Sequence, residues 1–130
     1  METFNFNLLN LKKIKKVIDV GCGNGRHLKS LGFRLTDSEI VGIDQSVSEI
    51  TKLNEEFSDS ICKNGNTYRF ITGDIREMEI PDNSQDLVVC SEVLEHVPNF
   101  EAVLEECYRI LKPGSVMLIS VPAYFPESLC

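Results

Sequence analysis

The sequence runs to 130 residues, 42% hydrophobic and 25% charged, a balance that fits one globular domain with a single core and excludes a disordered chain. A net charge of −7 and a pI near 4.8 argue against a nucleic-acid partner held by general attraction to phosphates. No apolar run reaches the ~20 residues that span a bilayer, and five cysteines without a C-x-x-C pair indicate neither a disulfide framework nor a zinc site.

Residues 1–16 read as an N-terminal arm or short helix, with Leu8, Leu11 and Ile14 as its apolar stripe and Lys12, Lys13, Lys15 and Lys16 as a solvated face. They carry neither a long apolar segment nor a small-residue cleavage site, so the expected address is cytoplasmic. The run Val17-Ile18-Asp19-Val20 then has the character of a buried parallel strand, and it breaks into Gly21-Cys22-Gly23-Asn24-Gly25. Glycines in such a bend adopt backbone angles closed to other residues and let a ligand approach the main chain. Their spacing departs from the dinucleotide pattern G-x-G-x-x-G, because Arg26 stands where the third glycine would be. Asp19, just before the bend, suits an ammonium group better than a phosphate, so the site fits a nucleoside carrying positive charge. A short helix follows to about Leu31, with Gly32 expected to stop it.

A second strand, Ile40 to Ile43, ends at Asp44, about twenty residues beyond the bend, where a carboxylate can accept hydrogen bonds from two ribose hydroxyls. Ser46-Val47-Ser48-Glu49 reads as a capping box opening a helix with Ile50, Leu53 and Phe57 buried. After an Asn64-Gly65 turn, Tyr68 to Thr72 reads as an edge strand ending in Gly73-Asp74-Ile75. Pro81 to Ser84 is a turn, and Leu87 to Cys90 a fourth strand opening into Ser91-Glu92-Val93-Leu94-Glu95-His96-Val97. Asn99 is expected to cap a helix with stripe Phe100, Val103, Leu104, Cys107 and Leu111, ended by Lys112-Pro113-Gly114. Val116 to Val121 forms the fifth strand, closed by Pro122. Cys22, Cys90 and Cys107 fall where a small apolar thiol packs well.

Alternation of five strands with helices makes this an α/β chain with a doubly wound parallel sheet. Four segments (D-V-G-C-G-x-G, the acid after the second strand, G-D-I, and S-x-x-x-E-H-V) resemble, in order, the motifs of class I S-adenosylmethionine-dependent methyltransferases, in particular those of the type 11 group acting on small molecules such as quinone precursors. The resemblance implies a Rossmann-like domain over 17–122, strand order 3-2-1-4-5, with the cofactor across the carboxyl ends of the strands. It implies that Asp19 and the bend Gly21, Cys22, Gly23, Asn24 and Gly25 hold the methionine end, Asp44 with its neighbour Gln45 the ribose, and Asp74 with Ile75 the adenine. Ser91 opens the segment that passes beside the cofactor. Methyl transfer from S-adenosylmethionine to a small-molecule acceptor, leaving S-adenosylhomocysteine, is the implied reaction. No catalytic residue is assigned; His96, whose imidazole titrates near neutrality, is a weak candidate for general base.

The family's sheet ordinarily continues with an antiparallel hairpin, and only a tail, 123–130, follows Pro122, so a chain shortened after its fifth strand is expected. A homo-oligomer or a partner subunit is then a candidate to complete the sheet edge. This supports one alternative, a cofactor-binding module or regulatory subunit without turnover. A nicotinamide-dependent oxidoreductase is the lesser alternative, opposed by Arg26 and by the G-D-I segment.

Overall fold

Four consecutive buried residues, Val17 to Val20, place the strand β1 (Lys16–Val20) at the centre of the sheet, covered on both faces. The computed structural model describes residues 5–57, 63–91 and 99–120. Within them β2 (Glu39–Asp44), β3 (Thr67–Thr72), β4 (Gln85–Ser91) and β5 (Leu111–Ser120) join β1 in one sheet of order β3-β2-β1-β4-β5, every pair parallel. This is the expected Rossmann-like arrangement.

The period-2 alternation of the strands sorts the core into two layers. Val17, Leu87 and Val89 face one way, onto Leu28 and Leu31 of α1 (Arg26–Arg34) and Ile50 and Leu53 of α2 (Val47–Phe57). Ile18, Val20, Val88 and Cys90 face the other, onto Val103, Cys107 and Ile110 of α3 (Phe100–Ile110). The free thiols Cys22, Cys90 and Cys107 are all buried. Among the described residues no helix is long and apolar enough to cross a membrane.

Several local expectations are corrected. The arm is two 3-10 turns, Phe6–Leu8 and Leu11–Lys13, with Phe6 and Ile14 buried, while Leu8 is 82% exposed. The lysines therefore share no helix face: Lys15 Nζ donates to Thr36 O, and Lys16 pairs with Glu39. Gly32 does not stop α1, which runs on to Arg34 and is closed by Leu35 N–H donating to Leu31 O. A Cβ on Gly32 would lie 2.1 Å from the Tyr68 hydroxyl, so glycine is there to admit that ring, itself packed against Phe57 and Phe70.

Asn99 flanks α3 without a side-chain capping bond, and Ile110 takes the buried place expected of Leu111. Lys112-Pro113-Gly114 lies inside β5 rather than before it: Leu111 pairs with Gln85 and Val116 with Leu87, so the extra residues bulge out around Gly114 at φ 81°. Cys62, His96 and the tail lie outside the described residues.

Asp86 ties the amino-terminal end of the sheet together. It accepts from the amides of Lys15 and Lys16, each at 2.9 Å, and from Lys112 Nζ at 2.8 Å. Burial alone would raise its pKa, but these bonds outweigh that and hold it below the ordinary carboxylate value. Its contribution to stability is present above the unfolded value, 3.8, and is lost as pH falls below it. Asp86→Ala should cost about 1–3 kcal/mol at neutral pH, and the deficit should vanish in acid, as read from urea unfolding at the two pH values. Gly32→Ala should destabilise by about 1–3 kcal/mol through overpacking, less the roughly 1 kcal/mol that alanine adds to a helix. In a Tyr68→Phe background, where the obstructing oxygen is gone, the loss should shrink.

Candidate functional site

At the carboxyl end of β1 the chain turns over the end of β2. Gly21 N and Cys22 N both donate to Ile43 O, at 2.8 and 2.9 Å, and Gly25 N donates to Cys22 O at 2.9 Å. The bend requires φ of 79° at Gly21, 54° at Gly23 and 78° at Gly25, values that glycine adopts without strain. Around a Cβ built on Gly23 there is nothing within 4 Å, whereas one on Gly25 would strike Leu53 Cδ2 at 2.8 Å. The bend thus presents bare backbone on one side and rests on the core on the other. Asn24 Oδ1 accepts from Arg26 N at 3.1 Å and so serves the first turn of α1, which Gly25 precedes without a side-chain cap.

Asp44, half-buried at the end of β2, faces this bend. Its Oδ2 accepts from Gly23 N and its Oδ1 from Ser46 N, both at 2.8 Å. Each carboxylate oxygen has a second lone pair, so the group retains acceptor capacity toward a ligand. Gln45 is exposed beside it. The capping box is only half formed: Glu49 N donates to Ser46 Oγ at 3.3 Å, but the single Ser46 N–H belongs to Asp44. Glu49 is thereby left to line a cleft of about 260 Å³, together with Gly21, Cys22, Gly23, Asn24, Arg26 and His27. Glu49, Arg26 and His27 are not among the site residues expected from sequence. Glu49 reads there as a cap, Arg26 only as a missing glycine, and His27 as a helix residue. The signal that could have found them is their position one helical turn from the two strand ends.

Asp19 lies beneath the cleft rather than in its wall. It is fully buried on β1 between its register partners Gly42 and Val89, and neither carboxylate oxygen has a hydrogen bond among the described residues. Burial first, and then the charge of Asp44, push its pKa up to about 8 against the opposing pull of Arg26. Burial, with Asp19 and Asp44 behind it, raises the Cys22 thiol to about 12, which leaves it a packing residue and no nucleophile near neutral pH.

The third expected acid is engaged differently. Gly73 N donates to Asp44 O at 3.0 Å, which brings the turn after β3 to the end of β2. In that turn Asp74 accepts from Arg76 N at 2.9 Å and from Arg76 Nε at 3.0 Å, with Nη2 on its second oxygen. This pairing holds Asp74 below the usual carboxylate range. Ile75 is 2% exposed, packed among Ile18, Ile43 and Val88 in the α3-side core. Ser91 ends β4 opposite Ser120 of β5. The structure therefore lines the cleft with Gly21 to Asn24, joins Asp44 to its wall through Gly23 with Gln45 exposed beside it, rests Gly25 on the core, keeps Asp19 buried out of the wall, and places Asp74 and Ile75 on the neighbouring turn.

A glycine bend after a buried central strand, faced by an acid at the next strand end, defines the carboxyl-end site of a Rossmann-like domain. The family model for the methyltransferase domain matches residues 18–119, and the chain belongs to that family. It is 34% identical over 110 residues to the sterol 24-C-methyltransferase erg6 of Aspergillus fumigatus, covering 83% of this chain and 28% of that protein. It is 36% identical over 111 residues to a ubiquinone biosynthesis O-methyltransferase of Pseudomonas savastanoi pv. phaseolicola, covering 82% and 44%. Among solved structures, StiE O-MT is similar with a TM-score of 0.75 at 25% identity over 88% of this chain and 40% of that one. The PH0226 protein of Pyrococcus horikoshii is similar at 0.69 and 29%, over 85% and 50%. The chain thus spans less than half the length of these curated relatives. None of these matches supports an oxidoreductase.

In the folded chain Asp19 holds its proton between the unfolded value of 3.8 and about 8, so its contribution to stability falls as pH rises through that window. Asp19→Asn should gain stability relative to the parent between about pH 5 and about pH 8. Urea midpoints at the two pH values measure this, and a difference independent of pH would contradict the buried, orphaned state of the carboxyl.

Proposed function

We propose that the chain binds S-adenosylmethionine in the cleft at the carboxyl ends of β1 and β2 and transfers its methyl group to a small-molecule acceptor. The observation that carries this reading is the Asp44 carboxylate, pinned to the glycine bend by Gly23 N–H with lone pairs to spare. The donor set also fits. Open backbone at Gly23 admits a ligand edge, and the carboxylates of Asp44 and Glu49 supply the negative surroundings that a sulfonium prefers and a pyrophosphate does not. The sterol and ubiquinone O-methyltransferase relatives act, by name, on small molecules, which supports the acceptor class.

S-adenosylmethionine supplies an already activated methyl on sulfur, so the protein's work is alignment and exclusion of water. In this reading Asp44 takes the two ribose hydroxyls, and the amides and carbonyls of Gly21 to Gly25 hold the amino-acid end. Glu49 faces that end from the first turn of α2. Asp74 takes the adenine amino group alongside Arg76, which already donates to both of its oxygens, keeps it ionised and fixes its orientation. Ile75, packed in the core, supports that turn from below and does not cover the adenine ring.

Calorimetric titration with S-adenosylhomocysteine tests the assignment. Asp44→Ala should weaken binding by ~1.5–3 kcal/mol, the range for hydrogen bonds to a charged group. Circular dichroism on the same samples checks that α2 and the bend survive the loss of the Ser46 and Gly23 bonds. Unchanged affinity in a folded variant would remove Asp44 from the ribose.

A further inference from the structure

Both oxygens of Asp19 are buried without a hydrogen-bond partner among the described residues, and a buried polar group in that state calls for a cause. The charged and titratable groups that face it come from every element around it. Asp44 lies on β2, Arg26 on the first turn of α1, Cys22 in the glycine bend, Cys90 on β4 and Cys107 on α3. Arg26 lines the cleft and Asp44 is bonded to Gly23 of its wall, and their charges act on Asp19 in opposite senses. A charge placed in the cleft is therefore felt by Asp19 through the thickness of one glycine bend, in surroundings that screen it poorly.

We propose that Asp19 is a proton-linked counter-ion of the sulfonium: it releases its proton when the charged cofactor enters the cleft above it and regains one when the neutral thioether takes that place. This inference rests on the S-adenosylmethionine reading. The step balances simply. The Asp19 O–H bond breaks heterolytically, the electron pair stays on the carboxylate, and the proton passes to solvent. On methyl transfer the C–S electron pair returns to sulfur, the site loses one positive charge, and a proton comes back to Asp19. Below the free-state value of about 8, where Asp19 is mostly protonated, binding of the charged form must drive ionisation, so its affinity falls as pH falls. S-adenosylmethionine and S-adenosylhomocysteine share the same ammonium, carboxylate, ribose and adenine, so the difference between them isolates the sulfonium.

Calorimetry near pH 7 in phosphate and in Tris, buffers of different ionisation enthalpy, counts the protons exchanged with each ligand. S-adenosylmethionine should release most of one proton and S-adenosylhomocysteine distinctly fewer. Between about pH 8 and about pH 6 the preference for the charged ligand should weaken, by up to about tenfold per unit. Asp19→Asn should abolish the difference in proton count, and should that variant fail to fold, the comparison of the two ligands on the parent chain decides alone. Binding of both with equal proton counts would overturn the role of Asp19 and leave the cofactor assignment standing. Failure of both ligands to bind would overturn both.

Discussion

The hydrogen bond from Gly23 N–H to the Asp44 carboxylate, beside those from Gly21 and Cys22 N–H to Ile43 O, fixes the relation between the two central strand ends. The bend could otherwise take many shapes, because three glycines with positive φ lose much backbone freedom on folding. Asp44 removes that freedom from several sides at once. Its side chain holds the bend and the start of α2, and its carbonyl accepts from Gly73, anchoring the turn that carries Asp74. One residue thereby sets the spacing of three loops at the mouth of the sheet. Strand order does the rest, since neighbouring parallel strands deliver their carboxyl ends to the same side.

The three acids, expected to hold three different parts of one ligand, stand in three different surroundings. Asp19 is buried without partners and favours its neutral form, while Asp74, gripped by Arg76, is driven toward the charged one. Asp44 is bonded to backbone amides and half open to solvent. Identical chemistry is thus differentiated by burial and by the nearest cation.

The sheet was legible in the sequence because its signals are local and strong. Continuous apolar runs such as Val17 to Val20 identify strands buried on both faces, and their alternation with helices prescribes the parallel topology. The glycine bend and Asp44 were legible together, since each sits where a strand stops. What escaped depends on contacts between distant segments. Gly32 looks like a helix stop until Tyr68 is placed against it, and Lys112-Pro113-Gly114 looks like a boundary until Asp86 draws the lysine onto β4. Glu49 reads as half of a capping box because nothing local reveals that Asp44 takes the Ser46 amide first. The burial of Asp19 likewise reflects how tightly α1 and the bend close over β1, a property of packing.

The Leu53 side chain, lying where a Cβ on Gly25 would intrude, joins the hydrophobic interior directly to the ligand-facing backbone. The layer under α1 and α2 therefore acts as the seat of the cradle, whereas the described core side chains of α3 stand on the far side of the sheet. The two layers thus bear on different loops: repacking beneath α3 leaves the glycine bend alone but reaches Ile75 and the turn that carries Asp74, while a change of shape at Leu53 bears on the bend itself.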